Sequence, residues 1–449
     1  MSAWPELRET RTVRTGNPPG PVVRCGLVDT MLADLSVSVV YFFERTLDEE
    51  QLTRGLARAL ELLPTFAGRL RTRDEVLEIV CDDAGVPLSV YDVDETLAEA
   101  ISRVTLPGSG LVDQVDAPGA RQGGLPLLTV RVSRLAGGGT ALGCSWHHAL
   151  GDVQTYMTLM RAWSAAVEQL PLPEAILLPD QDAFLNRVLP QQDCGRPGFR
   201  LPEPDEAAAL RREFESATRA NRTAQVYFSD DELKRMRDEL SAAAGQKLSI
   251  GDALCGHVVS TIRELDGDTE PRQLTVPVNV RRPLDLPAAA VGNLLSEIHL
   301  PCGPQAPAEQ IAIGLRAAIE DFTRSHLNLR ANLVFLEAIG RFRFGDCVPL
   351  GFDPADKRFT FSNWSRFGAY DAVFDGQRPV FFSPTGNLPL PWVSWVVEGF
   401  EGTGALFTVV LPARLAARLR TPAARAALHR YRSPADPLPK LAAAAPKVL

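Results

Sequence analysis

The chain has 449 residues, of which 45% are hydrophobic and 23% charged, and its formal net charge at pH 7 is −8. A chain of this length exceeds one ordinary core, so we expect two domains. The negative charge argues against nucleic-acid binding through many phosphate contacts, but it leaves room for a local basic site for one anionic cofactor. The sequence has neither an apolar run near 18 residues nor an apolar secretory segment, so we expect a cytoplasmic protein that does not enter a membrane.

The first part of the chain alternates predicted strands and helices. Residues 1–21 are polar and rich in proline, which is typical of a loosely held arm. The apolar periodicity then predicts, in order, a strand over Leu35–Phe43, a helix over Asp48–Leu63, strands over Val76–Cys81, Pro87–Tyr91, Leu127–Leu135 and Ala141–Trp146, and a helix over Val153–Leu170.

The stretch 176–223 is rich in proline and charge and is the predicted linker between an amino-terminal half, 1–175, and a carboxy-terminal half, 224–449. The second half is predicted to contain helices at about 230–244 and 249–265, followed by strands over Gln273–Val280, Leu333–Phe335, Phe359–Asn363, Pro379–Phe382, Trp392–Phe400 and Ala405–Leu411. The apolar run at 333–335 is so short that it can equally belong to a helix. The tail 433–449 has the composition of a flexible segment.

Two of the six histidines are adjacent, His147 and His148, and they stand between a predicted strand and a predicted helix. A neutral imidazole in such a place can take a proton from a hydroxyl or amine that attacks a carbonyl and then return it to the leaving group. Asp152 completes a His-x-x-x-Asp spacing, but such a spacing also arises by chance, and Asp152 can simply cap the following helix. The spacing alone therefore does not separate catalysis from packing.

Other chemistries have less support in the sequence. Adjacent histidines seldom converge on one metal ion, and neither HExxH nor CxxC occurs, so we predict no metal site. The phosphate-binding patterns GxxxxGK[ST] and GxGxxG are missing, as is the GxSxG pattern of serine hydrolases.

Eight short segments follow one another in a fixed order over roughly residues 20–415. They are Gly26-Leu27-Val28-Asp29, Pro64-Thr65-Phe66-Ala67-Gly68-Arg69-Leu70, Cys81-Asp82-Asp83-Ala84-Gly85-Val86, His148 to Asp152, Ser249-Ile250-Gly251-Asp252-Ala253-Leu254, Asn279-Val280-Arg281, Val291-Gly292-Asn293 and Ser362-Asn363-Trp364-Ser365-Arg366-Phe367. Together and in this order, these segments resemble the motifs of the BAHD acyltransferase family. Scarce lysine and abundant alanine suggest a bacterial member.

The sequence departs from the family pattern at two places. Val373-Phe374-Asp375-Gly376-Gln377 stands where the family has Asp-Phe-Gly-Trp-Gly, and only the phenylalanine is shared. In the family this motif is regarded as structural, so its loss bears on donor binding and loop conformation more than on catalysis. Val153 stands where the family has glycine after the motif aspartate.

The resemblance implies a chloramphenicol-acetyltransferase-like α/β fold, which condensation domains share. Two domains, each a mixed sheet with packed helices, would enclose a channel. It also implies a monomeric acyl-CoA-dependent acyltransferase without a tightly bound cofactor, which acylates a hydroxyl or amine of a small molecule in secondary metabolism, for example in antibiotic biosynthesis. In this interpretation His148 is the general base, Asp152 faces away from the substrates and pairs with Arg281, and His147 supports the site.

The resemblance also suggests residues for the substrates. The indole N–H of Trp364 would stabilise the oxyanion, and Ser36 and Ser38 on the first predicted strand would reach the pocket. Four residues would lie near the donor mouth and contact the acyl-CoA: Lys247, Ser249, Arg272 and Arg282.

Three other functions remain open. A condensation enzyme that takes its acyl group from a carrier protein shares the fold, and the His147-His148 doublet fits that class well. A cyclase using the same cleft is a further alternative. A binding protein that has lost catalysis is the third.

Overall fold

The computed structural model describes residues 5–189, 196–267, 269–303, 305–324, 328–340, 343, 346–350, 358–386 and 392–444. Within these ranges the strands are β1 (Glu6–Val13), β2 (Val22–Arg24), β3 (Ser36–Phe43), β4 (Arg69–Arg73), β5 (Val76–Val80), β6 (Val86–Val93), β7 (Leu128–Leu135), β8 (Thr140–His147), β9 (Phe199–Arg200), β10 (Asn221–Phe228), β11 (Arg272–Asn279), β12 (Leu295–Cys302), β13 (Val348–Pro349), β14 (Arg358–Asn363), β15 (Phe381–Pro384), β16 (Val393–Glu398) and β17 (Ala405–Pro412).

The helices of the same ranges cover both halves of the chain. They are α1 (Leu27–Met31), α2 (Glu49–Leu62), α3 (Leu97–Arg103), α4 (Ala117–Arg121), α5 (Val153–Val167), α6 (Gln181–Val188), α7 (Pro204–Ala220), α8 (Asp230–Ala244), α9 (Ile250–Asp266), α10 (Ala308–Arg324), α11 (Asn328–Ile339), α12 (Ala413–Arg418), α13 (Pro422–Leu428) and α14 (Lys440–Ala444).

Two six-stranded mixed sheets organise the molecule, one for each half. The first has the order β1-β6-β7-β8-β3-β15 and the second the order β10-β17-β16-β14-β11-β12. Helices α2 and α5 pack on the first sheet, whereas α8, α9 and α10 pack on the second. The expected α/β class with two sheet-containing domains is therefore confirmed.

The two faces of the first sheet differ in polarity. Trp146 on β8 stacks on Tyr156 of α5 at 4.0 Å between ring centroids, so this face builds the first core. The next residues along β8 and β3 point to the other face, because side chains alternate along a strand. That face carries polar side chains, and β3 pairs with β8 so that Ser36 lies opposite His147 and Ser38 opposite Ser145.

The second sheet likewise turns polar side chains toward the first half. Leu274 and Ile298 pack into the second core, whereas Gln225 and Thr408 lie on the opposite face. Gln225 donates a 2.7 Å hydrogen bond to Ser383 on β15 of the first sheet. Polar groups therefore meet where the two sheets approach each other.

Strand β15 comes from the second half of the chain but belongs to the first sheet. It pairs antiparallel with β3, with Phe381 opposite Phe42. Nothing in the local sequence could show this exchange, because a four-residue apolar strand fits either sheet. The first sheet is thus completed only when both halves are present.

Most predicted elements are confirmed to within a few residues, and two expectations are wrong. The strand predicted at 333–335 is part of α11, whose length lets Leu333 and Leu336 pack into the second core. The amino-terminal arm is not loose, since β1 pairs with β6 along the sheet edge and buries Val13. An edge strand can be held by backbone hydrogen bonds without an apolar run in its sequence. The polar sequence of β1 therefore led to the wrong prediction of a loose arm.

The predicted linker and tail contain regular structure as well. The range 176–223 includes α6, β9 and α7, while residues 190–195 lie outside the described residues. In the tail, Asp436 accepts a hydrogen bond from Arg235 and α14 follows, while residues 445–449 lie outside the described residues.

Candidate active site

His148 begins a short 3₁₀ turn, His148–Leu150, between the end of β8 and the start of α5. Its backbone N–H donates to the carbonyl of Leu35 at 2.9 Å, which ties the turn to the chain before β3. Gly151 follows with a φ of 145°, and a Cβ there would lie 2.7 Å from the Thr155 side chain. Glycine is therefore required between the histidine and the start of α5.

The imidazole of His148 is held in a partly open environment. The residue as a whole is half-buried, and its Nδ1 is buried without a hydrogen-bond partner among the described residues. Burial lowers the pKa of His148 below its ordinary value, whereas its own carbonyl, Asp152 and Asn293 act in the opposite direction. A ring that is neutral at neutral pH can accept a proton, as a general base must.

His147 has a different environment although it is the next residue. It is fully buried, its Nδ1 accepts from the N–H of Ala149 at 3.1 Å, and its Nε2 lies 3.3 Å from the carbonyl of Ala117. Burial lowers the pKa of His147 to about 4. Both ring nitrogens are thus engaged with the backbone, as expected of a supporting residue.

Asp152 and Arg281 form a buried ion pair between the two halves. Each is only 3% exposed, and Arg281 binds both carboxylate oxygens, with distances of 2.7 and 3.2 Å. Asp152 also caps α5 by accepting from the N–H of Thr155 at 2.9 Å, and it accepts from the N–H of Leu294 at 3.2 Å. With four donors on its two oxygens, this carboxylate is suited to holding the fold in place.

The segment 290–294 of the second half is hydrogen-bonded to the start of α5. The carbonyl of Gly292 accepts from Arg281 at 3.2 Å and from the hydroxyl of Thr155 at 3.1 Å. Gly292 has a φ of 133°, and a Cβ there would lie 2.3 Å from Oε1 of Gln181. The loop can therefore approach this closely only with glycine at 292.

Asn293 connects this loop to the histidine turn and to the amino-terminal part of the chain. It is fully buried, and its Nδ2 donates to the carbonyl of His148 at 2.8 Å and to Oδ1 of Asp29 at 2.7 Å. Burial raises the pKa of Asp29 to about 6. Sequence reasoning assigned no role to Asn293 or Asp29, although both stand in motif segments, and that membership was the available signal.

The serines predicted to reach the pocket lie on the polar face of the first sheet. Ser36 accepts a hydrogen bond from Gln114 at 3.3 Å, and Ser38 donates to Ser145 at 2.9 Å. Both are nearly buried. They share the sheet face with His147, and Ser36 lies directly opposite that residue across the β3–β8 pair.

Trp364, the predicted oxyanion donor, follows β14 and is 9% exposed. Its indole N–H donates to the hydroxyl of Ser362 at 2.9 Å, and its ring packs at an angle against Trp395. The N–H that would stabilise an oxyanion is therefore already engaged. The predicted role requires this hydrogen bond to open.

The four residues predicted to bind the donor occupy different environments. Lys247 and Arg282 are exposed, and Ser249 caps α9 by accepting from the N–H of Asp252 at 3.1 Å. Arg272 is only 5% exposed, because it packs over the ring of Trp392 and binds Asp266 at 3.1 Å. A phosphate contact by Arg272 is thus not compatible with this arrangement, whereas the other three residues remain candidates.

The segment that replaces the family's Asp-Phe-Gly-Trp-Gly motif is well packed. Phe374 is fully buried between Phe43 and Trp163, and the side chain of Gln377 accepts from the N–H of Arg45 at 3.1 Å. The segment therefore holds the second half against the first half despite its altered sequence.

A cavity of about 350 Å³ lies beside α6 and α11. It contains none of the predicted site residues and is lined by Asp180, Asp182, Ala183, Asn186, Leu333, Leu336, Glu337 and Gly340. Among the described residues, no group of three or more His, Cys, Asp or Glu side chains is placed to hold a metal ion. In the same part of the chain, every helix is too short or too polar to cross a membrane.

Comparison with known proteins gives a consistent result. A model of the Transferase family matches residues 24–389. Stemmadenine O-acetyltransferase of Catharanthus roseus is 22% identical over 398 residues, which cover 83% of this chain and 85% of that enzyme. Hydroxycinnamoyl-CoA:5-hydroxyanthranilate N-hydroxycinnamoyltransferase of Avena sativa is 27% identical over 390 residues, 80% of this chain and 82% of that enzyme.

Solved structures show the same fold. TRI101 of F. sporotrichioides, in complex with coenzyme A and T-2, matches with a TM-score of 0.73 at 16% identity. The match covers 90% of this chain and 98% of that chain. At this identity the likeness concerns the arrangement of the two sheets and their helices.

Proposed function

This chain belongs to the Transferase family of BAHD acyltransferases, and on that premise we propose that His148 is the general base of an acyl transfer from acyl-CoA. The enzyme is an acyl-CoA-dependent acyltransferase whose acceptor is a hydroxyl or amine of a small molecule of secondary metabolism. The observation that carries the proposal for His148 is its half-buried position with a lowered pKa, next to an aspartate whose two oxygens are taken by other contacts.

The proposed reaction has two steps at the thioester carbonyl. His148 takes the proton of the acceptor hydroxyl or amine while the acceptor oxygen or nitrogen forms a bond to the carbonyl carbon. The carbon–sulfur bond then breaks, and the imidazolium returns the proton to the sulfur of coenzyme A. The negative oxygen formed between the two steps requires a hydrogen-bond donor, for which Trp364, Ser36 and Ser38 are the proposed residues. Trp364 and Ser38 would first have to release their hydrogen bonds to Ser362 and Ser145, whereas the hydroxyl of Ser36 only accepts a hydrogen bond here.

The Asp152–Arg281 pair is proposed to fix the geometry of the site rather than to move protons. A carboxylate that accepts four hydrogen bonds has little capacity left to orient an imidazole. Its position at the start of α5 instead sets where the preceding turn, and with it His148, can lie.

The test is a transfer assay with purified protein. Acetyl-CoA, malonyl-CoA and a hydroxycinnamoyl-CoA would each be mixed with a panel of aromatic alcohols, aliphatic alcohols and amines, and free thiol release would be measured with product mass. The proposal predicts acceptor-dependent thiol release that is lost in His148→Ala. Release that is unchanged in His148→Ala would contradict it.

A carrier-protein donor is the second candidate, favoured by the adjacent pair His147-His148. The same acyl group would be offered on coenzyme A and on the phosphopantetheine arm of an acyl carrier protein. A condensation-type enzyme would use the carrier-bound group and leave the acyl-CoA intact. The proposed acyltransferase gives the opposite preference.

Four further properties are proposed at the same level. The protein is proposed to be a bacterial, cytoplasmic monomer. Its two halves are proposed to be 1–175 and 224–449, with 176–223 as the linker between them. The relatives in the comparison are plant enzymes, so the bacterial origin rests on composition alone. Light scattering of the purified protein tests the monomer, and limited proteolysis within 176–223 tests the division.

A further inference from the structure

The segment 111–117 lies directly on the polar face of the first sheet. The carbonyl oxygen of Leu111 is so close to Gly143 of β8 that a Cβ at position 143 would lie 2.0 Å from it. Val115 donates its backbone N–H to the hydroxyl of Ser145 at 3.0 Å, and the buried side chains of Leu111 and Val115 fix the segment in place. The segment can therefore approach the sheet this closely only with glycine at 143.

The segment engages polar side chains that this face presents near the histidine turn. Thr129 on β7 donates its hydroxyl to the carbonyl of Asp113, and Nε2 of His147 lies 3.3 Å from the carbonyl of Ala117. These side chains are therefore turned to the segment that covers them. The outer side of the segment, rather than the strands beneath it, forms the accessible surface at this place.

The same stretch of chain reaches the second half at its other end. Gly386, which follows β15, is so close to Thr105 that a Cβ at position 386 would lie 1.9 Å from the Thr105 carbonyl oxygen. The preceding residue, Thr385, donates its backbone N–H to the carbonyl of Ser38 at 3.0 Å. Residues 105–117 therefore run along the junction of the two halves, from the end of β15 to the end of β8.

Gln114 lies in this segment beside the chain that holds the histidine turn. Its side chain is exposed, and its Nε2 donates to the hydroxyl oxygen of Ser36 at 3.3 Å. Ser36 directly follows Leu35, whose carbonyl accepts the backbone N–H of His148 at 2.9 Å. Within the described residues Oε1 of Gln114 makes no hydrogen bond, so it can accept one from a bound molecule.

The charged side chains near Gln114 are paired with each other. Asp113 binds Arg131 at 3.1 Å, and Arg131 is only 5% exposed, so this guanidinium is not available to a substrate. Asp34, on the chain before β3, binds Arg121 at 3.0 Å. Because the charges cancel within both pairs, the surface around Gln114 offers a ligand a hydrogen bond rather than a net charge.

We propose that Gln114 is a specificity-determining residue that binds a second hydroxyl group of the acceptor. This inference rests on the proposed function, because it places the reacting hydroxyl or amine of the acceptor at His148. The second hydroxyl, a few bonds away on the same molecule, donates to Oε1 of Gln114, whose amide is oriented by Ser36. A hydroxyl matches this oxygen better than a carboxylate, which has no hydrogen to donate.

The experiment compares acceptors that differ only in the second hydroxyl. Styrene glycol is set against phenethyl alcohol, and phenylethanolamine against phenethylamine, with acetyl-CoA as the donor and with thiol release and product mass as the readouts. Within each pair the terminal hydroxyl or amine is the same. Because one hydrogen bond to an exposed side chain is gained, kcat/KM of the wild type should be about 3- to 10-fold higher for the member with the second hydroxyl.

Three variants connect this preference to Gln114. Gln114→Met keeps the length of the side chain but removes the accepting oxygen, so the preference should disappear through a higher KM for the acceptor, while KM for acetyl-CoA stays within about twofold. Gln114→Glu retains an accepting oxygen and should retain most of the preference. Gln122→Met, at an exposed glutamine that follows α4, is the matched control and should behave like the wild type.

The inference is overturned if the wild type does not prefer the members with the second hydroxyl, including the case in which it acylates neither of them. It is also overturned if Gln114→Met keeps the preference or if Gln122→Met loses it to the same extent. These outcomes leave the proposed function intact as long as thiol release with another acceptor is lost in His148→Ala. Thiol release that is unchanged in His148→Ala refutes the proposed function instead.

Discussion

The turn at 148–152 and the loop at 290–294 contribute to the site in opposite ways. The turn, from the first half, carries His148, which is half-buried and whose Nδ1 has no partner in the described part of the chain. The loop, from the second half, uses its polar groups in hydrogen bonds to Thr155, Arg281 and the carbonyl of His148. One half thus supplies the proposed base and the other half holds its backbone, so the proposed site is complete only when the halves are joined.

The two adjacent histidines repeat this contrast on a smaller scale. His147 has both ring nitrogens bonded to backbone groups and is fully buried, whereas His148 is half-buried. Alternation along β8 sends His147 to the polar face of the sheet, and the 3₁₀ turn then redirects the chain at His148. Neighbours in sequence can therefore have separate roles, and the following predictions test that separation.

The largest effect is expected for His148→Ala. The rate of acyl transfer should fall about 100- to 10,000-fold, because the general base is removed while the rest of the site stays in place. Thermal unfolding followed by circular dichroism should give a melting temperature close to that of the wild type. An unfolded variant, or one with wild-type turnover, contradicts the contrast between the two histidines.

The next effect is a loss of stability in Asp152→Ala. Removing the carboxylate leaves the Arg281 guanidinium buried without its charge partner, which costs about 3–5 kcal/mol of unfolding free energy. Urea denaturation measures this difference. The double variant Asp152→Ala/Arg281→Met should recover part of the lost stability, because it no longer buries an unpaired charge. If the single and double variants are equally stable, the pair does not join the halves as described.

His147 should matter for stability and its pH dependence, and much less for turnover. Because the pKa of His147 is lowered to about 4 in the folded state from an ordinary value near 6.5, the folded protein resists its protonation. Its contribution to stability is present above about pH 6.5 and is lost as the pH falls toward 4. His257, whose pKa is also lowered to about 4, contributes in the same direction.

The measurement is urea denaturation at several pH values between 7 and 4. His147→Leu should lose about 1–3 kcal/mol at pH 7, because two buried backbone groups lose their partner, and its stability should depend less on pH than that of the wild type. His147→Asn, which can still accept from Ala149, is the milder control. A fall in kcat comparable to that of His148→Ala would remove the distinction between the two residues.

The smallest effect is expected at the donor end. Lys247→Ala combined with Arg282→Ala should raise KM for acyl-CoA severalfold, since two exposed charges near a phosphate each contribute only modestly. The kcat should be unchanged, and Arg54→Ala, an exposed arginine on α2, is the control. Equal KM values for acyl-CoA and its 3′-dephospho form in the wild type would show that these residues do not read that phosphate.

The sequence predicted the elements of each half and the place of His148, because apolar periodicity and motif spacing are local properties. It also predicted the Asp152–Arg281 pair through the family resemblance, although 129 residues separate the two side chains that bond. The sequence did not predict that β15 joins the first sheet, since strand partners are set by tertiary packing. The engagement of Trp364 with Ser362 and the burial of Arg272 were equally hidden, because both depend on rotamers and neighbours.

The Asn293–Asp29 connection shows a different limit. Both residues stood in segments that the sequence singled out, but 264 positions separate them and no periodicity joins them. Only the folded chain shows that one amide bridges the carbonyl of His148 and a buried carboxylate. Local patterns therefore identify which residues matter, and the tertiary structure is needed to say how they act on one another.

The most direct test of the account is a structure of the protein with coenzyme A bound. We expect the sulfur to lie within about 4 Å of Nε2 of His148, between the two halves. Coenzyme A bound elsewhere, for example in the cavity beside α6 and α11, with the His148 ring closed off from the sulfur, would contradict the account.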